Sequence, residues 1–298
     1  MPASTLEAIS DDAGRLAVLA IDQRATLRRM LTEVGAPASD DDLKQVKVDV
    51  VGALSPWSTG VLMDTDYGVG PVRRAGALAD GVGLLIATEP AVKHKHRGEH
   101  LTARTPGQDA PWVRSQGGDA LKFLLQWNPD REVVQGDRDL AAIAVDVVGS
   151  VVADCAAHGL PSVIEPLVSF GPDRSATQEQ HEAAVVRSAV RLAPLGMDLL
   201  KLEWPGSAAA CAEVTQGLGD VPWALLSAGV DYAAFLERVR LAVENGAAGF
   251  IAGRAVWGEV VRYTGPDRRA WIADVAVPRM QGLLDLVREY EGRRQAVA

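Results

Sequence analysis

Cysteine is scarce in this sequence, and the scarcity bears on both compartment and chemistry. Among 298 residues there are two cysteines, Cys155 and Cys211, which form neither a CxxC pair nor a zinc-type spacing. The sequence therefore gives no reason to expect a disulfide framework. The first residues show no basic region followed by an apolar stretch, so we see no secretory signal and expect a reducing, cytoplasmic location.

Long apolar runs and an excess of positive charge are also absent. No uninterrupted apolar run approaches the roughly 18 residues of a membrane span. The net charge is −9, which does not favour nucleic acid or anionic membranes as partners. Any anionic ligand must then be held by local positive groups. The 48% hydrophobic and 23% charged residues are typical of a soluble globular protein.

Short apolar segments, most of them separated by helical pattern, run the length of the chain. Strands that alternate with helices indicate βαβ units and a parallel sheet. Eight units in 298 residues predict an α/β fold, a (β/α)8 TIM barrel forming a single domain over residues 1–298. A doubly wound open sheet is the competing architecture, but no G-x-G-x-x-G follows the first strand. The predicted strands are residues 16–21, 59–63, 83–87, 120–125, 161–164, 199–202, 223–226 and 248–252.

The sixth predicted strand contains a lysine, Lys201, in an otherwise apolar run. Burial of an ammonium group costs hydration energy and lowers the lysine pKa, which exposes the amine as a nucleophile near neutral pH. A Schiff-base lysine needs this condition. The alternative is a structural lysine at a strand end, which reaches water or pairs with Glu203.

Charged residues lie in the predicted strands or at their carboxyl ends, which converge on the catalytic face of a barrel. Glu165 could act as a general acid/base beside Lys201, because a partly apolar setting raises a carboxyl pKa toward neutrality. Lys122 could depress the pKa of Lys201 as a like charge. The alternatives are structural: a Glu165–Lys201 ion pair that fixes the barrel rim, and a Lys122 that pairs with Asp22 or Glu165.

The predicted turns after strands seven and eight carry small residues and an arginine. Small residues let backbone N–H groups approach an anion, the arginine adds a forked donor, and a helix beginning near residue 255 adds its positive end. These turns form the usual phosphate site of such barrels. Tight turns without a ligand are the alternative. The candidate phosphate-binding residues are Ser227, Gly229, Gly253 and Arg254.

The residues after the first strand are a further candidate group. Asp22 could orient Lys122 or act on a substrate hydroxyl. Gln23 and Arg24 could bind polar groups of the substrate, although Arg24 could also be an ordinary surface residue of the following helix. Asp64, after the second strand, completes the set of substrate-binding candidates.

Two parts of the sequence suggest metal sites at first reading. Asp64, Asp66 and Glu89 are spread over two loops without ligand spacing, which favours polar contacts and helix caps. Residues 93–100 hold three of the five histidines. Because this segment has no apolar residues to hold ligands rigidly, we favour a flexible basic loop that attracts an anionic substrate over a metal site.

Together these pieces resemble one family, the class I ketose-phosphate aldolases that include tagatose 1,6-bisphosphate aldolase and sulfofructosephosphate aldolase. The resemblance runs nearly end to end, from residues 19–24 (LAIDQR) to residues 274–278 (DVAVP). Its most specific pieces are residues 119–125 (DALKFLL), 163–166 (VIEP), 198–203 (DLLKLE), 226–230 (LSAGV) and 252–257 (AGRAVW).

The resemblance implies a TIM barrel without a metal cofactor, which cleaves a ketose 1-phosphate to dihydroxyacetone phosphate and an aldehyde. It implies Lys201 as the Schiff-base lysine and Glu165 as the acid/base. It also implies a phosphate site at Ser227, Gly229, Gly253 and Arg254. We expect a small sugar phosphate as the substrate and a homo-oligomer as the assembly, with no nucleic acid or membrane as partner.

The motifs that bear on the substrate resemble two different branches of that family. Residues 116–122 (QGGDALK), 253–257 (GRAVW) and 274–281 (DVAVPRMQ) look more like the sulfofructosephosphate branch. Residues 63–68 (MDTDYG) look closer to the tagatose branch, and the 88–107 loop matches neither. We therefore expect cleavage of 6-deoxy-6-sulfofructose 1-phosphate to 3-sulfolactaldehyde, with tagatose 1,6-bisphosphate as the alternative. A non-catalytic regulator and a metal-dependent class II aldolase are the remaining readings.

Overall fold

A computed structural model describes residues 6–133, 135–172 and 175–297 of the chain. Within these residues, eight parallel strands close into a barrel in which strands consecutive in the chain are neighbours and the eighth pairs with the first. The predicted TIM-barrel fold is confirmed. The strands are β1 Leu16–Ile21, β2 Gly60–Met63, β3 Gly83–Ala87, β4 Ala120–Trp127, β5 Ser162–Val168, β6 Leu199–Leu202, β7 Trp223–Leu226 and β8 Gly249–Ala252.

Helices surround the barrel and connect its strands. The last two helices, Gly265–Trp271 and Val277–Val297, are joined by a π-helical segment, Ile272–Ala276. Short 3₁₀ turns are Leu6–Ile9, Ser55–Trp57, Ala193–Leu195 and Gly258–Arg262. The helices are α1 Ala25–Glu33, α2 Asp40–Leu54, α3 Val69–Arg74, α4 Ala110–Ser115, α5 Leu140–Ala157, α6 Gln178–Leu192, α7 Ala208–Leu218, α8 Tyr232–Glu244, α9 Arg254–Trp257, α10 Gly265–Trp271 and α11 Val277–Val297.

Strand β5 is longer than the sequence suggests, because it continues through Glu165 and Pro166 to Val168. Proline lacks an N–H group for a ladder and is favoured where a strand has a free edge. The ladder between β5 and β6 is recorded for Val163 and Ile164, whereas the ladder between β5 and β4 continues to Val168. Pro166 thus lies where β5 pairs on the β4 side. Glu165 is consequently a residue within a strand and not the first residue after one.

Side chains along each strand alternate between the inside and the outside of the barrel, which gives an inner and an outer core. Odd and even positions of a strand point to opposite faces of a sheet. The inner core is apolar and holds Leu16, Val18 and Ala20 of β1 with Val163 and Leu199. Continuing the same period one step further up each strand brings charged residues to the inner face: Asp22 after β1, Lys122 in β4, Glu165 in β5 and Lys201 in β6.

The amino end of the barrel is closed by the first 3₁₀ turn. Ile9 belongs to the inner core, and the carbonyl oxygen of Ala8 lies 1.9 Å from where a Cβ on Gly83 would stand. Glycine at position 83 is therefore required for this close approach. Because this end is closed, the barrel opens at the carboxyl ends of the strands, where the charged residues lie.

Helix α5 is long and apolar enough to cross a membrane by length and composition, with a mean hydropathy of 1.9 over 18 residues. In the fold it is an outer helix of the barrel that packs against β4 and β5. Its buried residues, which include Ala144, Val148 and Val151, belong to the outer core. The buried stripe of this helix is therefore part of the barrel's outer core.

Candidate active site

The centre of the barrel mouth is an ion pair between two nearly buried side chains. Lys201 Nζ lies 3.0 Å from Glu165 Oε1, and the two residues are 4% and 5% exposed. Both line a cleft of about 200 Å³. A buried amine that faces a cleft with a carboxylate beside it can give up its proton to that carboxylate and then attack a carbonyl carbon. Glu203, the alternative partner from the sequence, does not pair with Lys201.

A second lysine, Lys122, is fully buried below this pair and surrounded by carboxylates. Its Nζ lies 2.9 Å from Asp22 Oδ2, 3.0 Å from Glu89 Oε1 and 2.7 Å from Glu165 Oε2. Burial alone would lower the pKa of Lys122, but the surrounding carboxylates outweigh it and hold the pKa well above its usual value. Lys122 is therefore a permanent cation.

The same cluster shifts the pKa of Asp22 in the opposite direction. Burial opposes its ionisation, but the ammonium groups of Lys122 and Lys201 outweigh this and lower the pKa of the carboxyl. Asp22 is therefore an anion at neutral pH. The structure brings together all four residues predicted to be catalytic, Lys201, Glu165, Lys122 and Asp22.

The two polar residues that follow Asp22 have different positions. Gln23 lines the cleft with Lys201, and its buried Oε1 has no hydrogen-bond partner among the described residues. Arg24 turns toward the loops after β2 and β3, where it donates to Asp66 Oδ2 and to the carbonyl oxygen of Glu89, each at 3.1 Å. Gln23 can therefore meet a ligand directly, whereas the guanidinium of Arg24 is engaged by the protein.

Asp64 does not reach the cleft, contrary to our expectation of a substrate-binding residue. It is fully buried in an ion pair with Lys47 of α2 and accepts a hydrogen bond from the backbone N–H of Tyr67 at 2.7 Å. Lys47 Nζ also donates to the carbonyl oxygen of Ile21 at 2.7 Å. Burial raises the pKa of Asp64 and lowers that of Lys47. This pair supports the backbone immediately before Asp22.

The predicted phosphate-binding residues come together on the other side of the cleft. Ser227, Gly229, Gly253 and Arg254 all line it with Lys201. Ser227 Oγ accepts a hydrogen bond from the N–H of Gly253 at 3.2 Å, which ties the two turns together. Gly229 has a φ of +79°, and a Cβ there would stand 2.9 Å from the guanidinium carbon of Arg254. Glycine at position 229 therefore leaves room for the arginine.

The helix predicted near residue 255 is short. Helix α9, Arg254–Trp257, has four residues before a 3₁₀ turn begins. So short a helix has a small dipole, so the expected contribution of a helix N-terminus to this site is not supported. Arg254 supplies the positive charge of these two turns and can bind an anion in the cleft.

Glu203 lines the same cleft and was not predicted as a functional residue. It accepts a hydrogen bond from the N–H of Val168 at 2.7 Å, and its Oε1 lies 3.3 Å from His181 Nε2. The hydrogen bond to Glu203 raises the pKa of His181. The spacing in the sequence could have predicted its position in the cleft. Glu203 follows Lys201 by two positions in an extended segment, so both side chains point the same way.

The histidine-rich segment is an ordered hairpin. Its strands are Lys95–His96 and Glu99–His100. Arg131 donates to Glu99 at 3.0 Å and to Asp137 at 2.8 Å, and His96 Nε2 lies 2.7 Å from Asp137 Oδ1. The flexible loop expected from the lack of apolar residues is thus fixed by polar contacts. No group of three metal-ligating side chains suited to an ion occurs within residues 6–133, 135–172 and 175–297.

Comparison with known proteins identifies the family. Residues 16–259 match the sequence profile described as DeoC/LacD family aldolase. The chain belongs to this family. It is therefore an aldolase, a carbon–carbon lyase acting on sugar phosphates, and the resemblance seen in the sequence is confirmed at that level.

Relatives with assigned names share about a quarter of their residues with this aldolase. The tagatose 1,6-diphosphate aldolase of Listeria monocytogenes serovar 1/2a is 26% identical over 294 residues, covering 87% of this chain and 82% of the relative. Tagatose 1,6-diphosphate aldolase 2 of Streptococcus agalactiae serotype III is 28% identical, with coverages of 87% and 85%. A solved Schiff-base-forming fructose-1,6-bisphosphate aldolase has a similar fold, with a TM-score of 0.66, 17% identity and coverages of 95% and 98%.

Proposed function

We propose that this protein is a class I aldolase that cleaves tagatose 1,6-bisphosphate to dihydroxyacetone phosphate and glyceraldehyde 3-phosphate. The observation that carries the proposal is the buried Lys201–Glu165 pair, which opens into the cleft that the turns after β7 and β8 also line. This arrangement supports the assignment of the amine to C2 and of the turns to the 1-phosphate of one ketose.

The reaction begins when Glu165 takes a proton from Lys201 and the free amine attacks the C2 carbonyl. Glu165 returns that proton to the carbinolamine hydroxyl, which leaves as water, and the resulting iminium is an electron sink for the next step. Glu165 accepts the proton of the C4 hydroxyl, the C3–C4 bond breaks, and its electron pair forms an enamine while the aldehyde leaves. Protonation at C3 and hydrolysis then release dihydroxyacetone phosphate and restore Lys201.

Lys122 and Asp22 support this reaction without forming covalent bonds. The Lys122 cation stabilises the Glu165 carboxylate in the form that accepts a proton. Asp22 lies at the same level of the barrel and can bind a hydroxyl of the open-chain sugar. Ser227, Gly229, Gly253 and Arg254 hold the 1-phosphate, which keeps C2 within reach of Lys201.

The names of the relatives favour tagatose 1,6-bisphosphate over the sulfofructose phosphate expected from the sequence motifs. Both relatives described above are named for the tagatose substrate and cover more than four-fifths of the chain. The two substrates share C1 to C4 chemistry and differ in the charged group on C6. The sulfonated ketose therefore becomes the second arm of the test.

Borohydride reduction during turnover tests the proposal. The protein is incubated with tagatose 1,6-bisphosphate or 6-deoxy-6-sulfofructose 1-phosphate, reduced, and analysed by intact and peptide mass. We expect a dihydroxyacetone-phosphate adduct on Lys201 with the tagatose substrate, and no adduct in Lys201→Ala. An adduct with the sulfonated ketose alone would replace the substrate assignment. A folded protein with no adduct from either would remove the Schiff-base mechanism, and loss of turnover with a chelator would indicate a metal-dependent aldolase.

A further inference from the structure

A second pocket opens across the barrel mouth from the phosphate turns. The phosphate turns follow β7 and β8, whereas this pocket lies between β4 and the loop after β3, four strands away in the closed barrel. Glu89, which contacts Lys122, forms part of its wall. Leu124 and Gln126 also line it, and the strand period places both on the same face as Lys122. The pocket therefore lies directly above the cluster of buried charges.

One cation in this pocket, Lys93, forms its hydrogen bond with a neutral side chain and not with a carboxylate. Its Nζ donates to the neutral side chain of Gln126. In the part of the chain that the structure describes, no carboxylate lies within 4 Å of it. Arg24, which also lies near this side of the mouth, differs because it pairs with Asp66 and Glu89. The Lys93 side chain is exposed, so an anion can reach it from solvent. Partial desolvation lowers the pKa of its ammonium group, Glu89 opposes this shift, and a bound anion would oppose it further.

A buried histidine nitrogen in the same pocket also lacks a partner. His100 lines the pocket, and its Nδ1 is buried without a hydrogen bond among the residues described. Buried polar atoms are rarely left unpaired in folded proteins, so this atom marks a place for a ligand or water. His100 belongs to the hairpin that Arg131 fixes through Glu99, which holds the pocket wall in place.

We propose that Lys93, with His100 beside it, binds the second anionic group of the ketose, at the end of the substrate remote from the 1-phosphate. The inference rests on the proposed function, because that function places the 1-phosphate at the turns after β7 and β8. With C2 at Lys201 of β6 and the C4 hydroxyl at Glu165 of β5, the sugar runs around the mouth toward β4. Its C6 group then arrives over Gln126, beside Lys93. The ligand is a tetrahedral oxyanion, a phosphate or a sulfonate.

Binding of non-cleavable ligands tests this site without requiring catalysis. Calorimetry measures the Kd of hexitol 1,6-bisphosphate and of hexitol 1-phosphate for wild type, Lys93→Gln and Lys95→Gln. We expect wild type to bind the bisphosphate at least tenfold more tightly than the monophosphate. Lys93→Gln should reduce this ratio to below about threefold while the monophosphate Kd stays the same. Lys95 is exposed like Lys93 but does not line the pocket, so its variant removes an equal charge and should keep the ratio.

Several outcomes would overturn the site. Equal weakening of both ligands by Lys93→Gln would mean a general effect on the fold or the field, and an equal loss in Lys95→Gln would mean long-range attraction alone. A reduced ratio in a protein that forms no imine would reject the proposed function and keep the anion site. Imine formation with an unchanged ratio would keep the proposed function and reject the anion site. Repeating the cycle with a 6-sulfonated hexitol 1-phosphate identifies the anion that Lys93 prefers.

Discussion

Two buried lysines point into the barrel mouth, and they differ in the number of carboxylates around them. Lys201 pairs with Glu165, and among the described residues no other carboxylate pairs with it. Lys122 contacts Glu165 as well, but also Asp22 and Glu89. Lys201 faces the cleft, whereas Lys122 is completely enclosed. The same residue type thus occupies two environments that share one carboxylate.

The difference assigns separate roles to the two lysines. A nucleophilic amine must lose its proton before it attacks, and each carboxylate nearby makes that loss more costly. Lys122, which has three carboxylates in contact, is suited to remain a cation that organises the site. Lys201, which has one, can pass its proton to Glu165 and react. Removal of the Glu165 carboxylate, of the Lys122 cation or of the more distant His181 should therefore have distinct effects.

The largest effect is expected from Glu165→Gln. The amide has nearly the same shape, but it cannot accept the proton of the C4 hydroxyl, and loss of a general base lowers kcat by about 10²- to 10⁴-fold. Lys201 is still present, so borohydride should still trap an adduct, although more slowly. Steady-state kcat for tagatose 1,6-bisphosphate is the measurement.

Glu203→Gln is the matched control for that experiment. Glu203 lines the same cleft but contacts neither lysine; its partners are Val168 and His181. Its variant should keep kcat within about tenfold of wild type, because it carries no step of the proposed reaction. A Glu165→Gln enzyme as active as the control would transfer the role of base to another residue.

A large loss of stability is expected from Lys122→Met. The substitution preserves apolar volume but leaves the carboxylates of Asp22, Glu89 and Glu165 close together without a cation. Breaking a buried ion pair by removing one partner typically costs about 3–5 kcal/mol. Urea unfolding at pH 7.5 measures the loss. The deficit should shrink as the pH falls toward 5, because crowded carboxylates without a cation bind protons more readily.

Lys44→Met provides the reference for a lysine of the same chemistry outside the barrel. Lys44 pairs with Asp41, which is largely exposed, at 2.8 Å on helix α2. Exposed ion pairs contribute about 0–1 kcal/mol, so this variant should unfold close to wild type. If Lys122→Met were equally mild, the enclosed cluster would not be the organising element of the site.

The fold was predictable because each barrel strand is a short apolar run and the charged residues follow the strand period. The β6 segment, Leu199–Leu202, was predicted at its observed boundaries, and so were β1, β3 and β7. Helices α3 and α4 were not predicted, because each has six residues, too few to show a helical period. The extension of β5 was hidden by Pro166, which reads as a strand terminator unless the pairing on each side is known.

The candidate site was predictable where local pattern carried the information. Lys122 and Lys201 each interrupt a predicted apolar strand and Glu165 directly follows one, so their positions in the sequence already marked them. The pairing of Lys47 with Asp64 was not visible, because it joins a helix to the end of a strand across the fold. A signal existed in α2, where Lys47 lies within the buried stripe of Leu43, Val46 and Val50, but its partner could not be identified without the structure.

The smallest expected effect is on the pH dependence of stability, and it concerns the Lys201 side of the mouth. The hydrogen bond from His181 to Glu203 raises the histidine pKa above its unfolded value of 6.5. A raised pKa means that the extra stability is fully present below pH 6.5 and is lost as the pH rises through the folded pKa. Because the His181 side chain is 36% exposed, solvent screening keeps the effect below about 1 kcal/mol.

Urea unfolding of wild type and His181→Asn at pH 6 and pH 8.5 measures this effect. Wild type should have a larger free energy of unfolding than His181→Asn at pH 6, and this difference should be lost at pH 8.5. Glu203→Gln should remove the same extra stability at pH 6, because the carboxylate that accepts the hydrogen bond is then gone. A constant difference between wild type and His181→Asn would show that Glu203 does not favour the protonated histidine. Lys122 and Asp22 should contribute no transition in this range, since the pKa of Lys122 is raised well above 10.5 and that of Asp22 is lowered below 3.8. Near neutral pH, the titrating group would then be His181, whose partner Glu203 lines the cleft with Lys201.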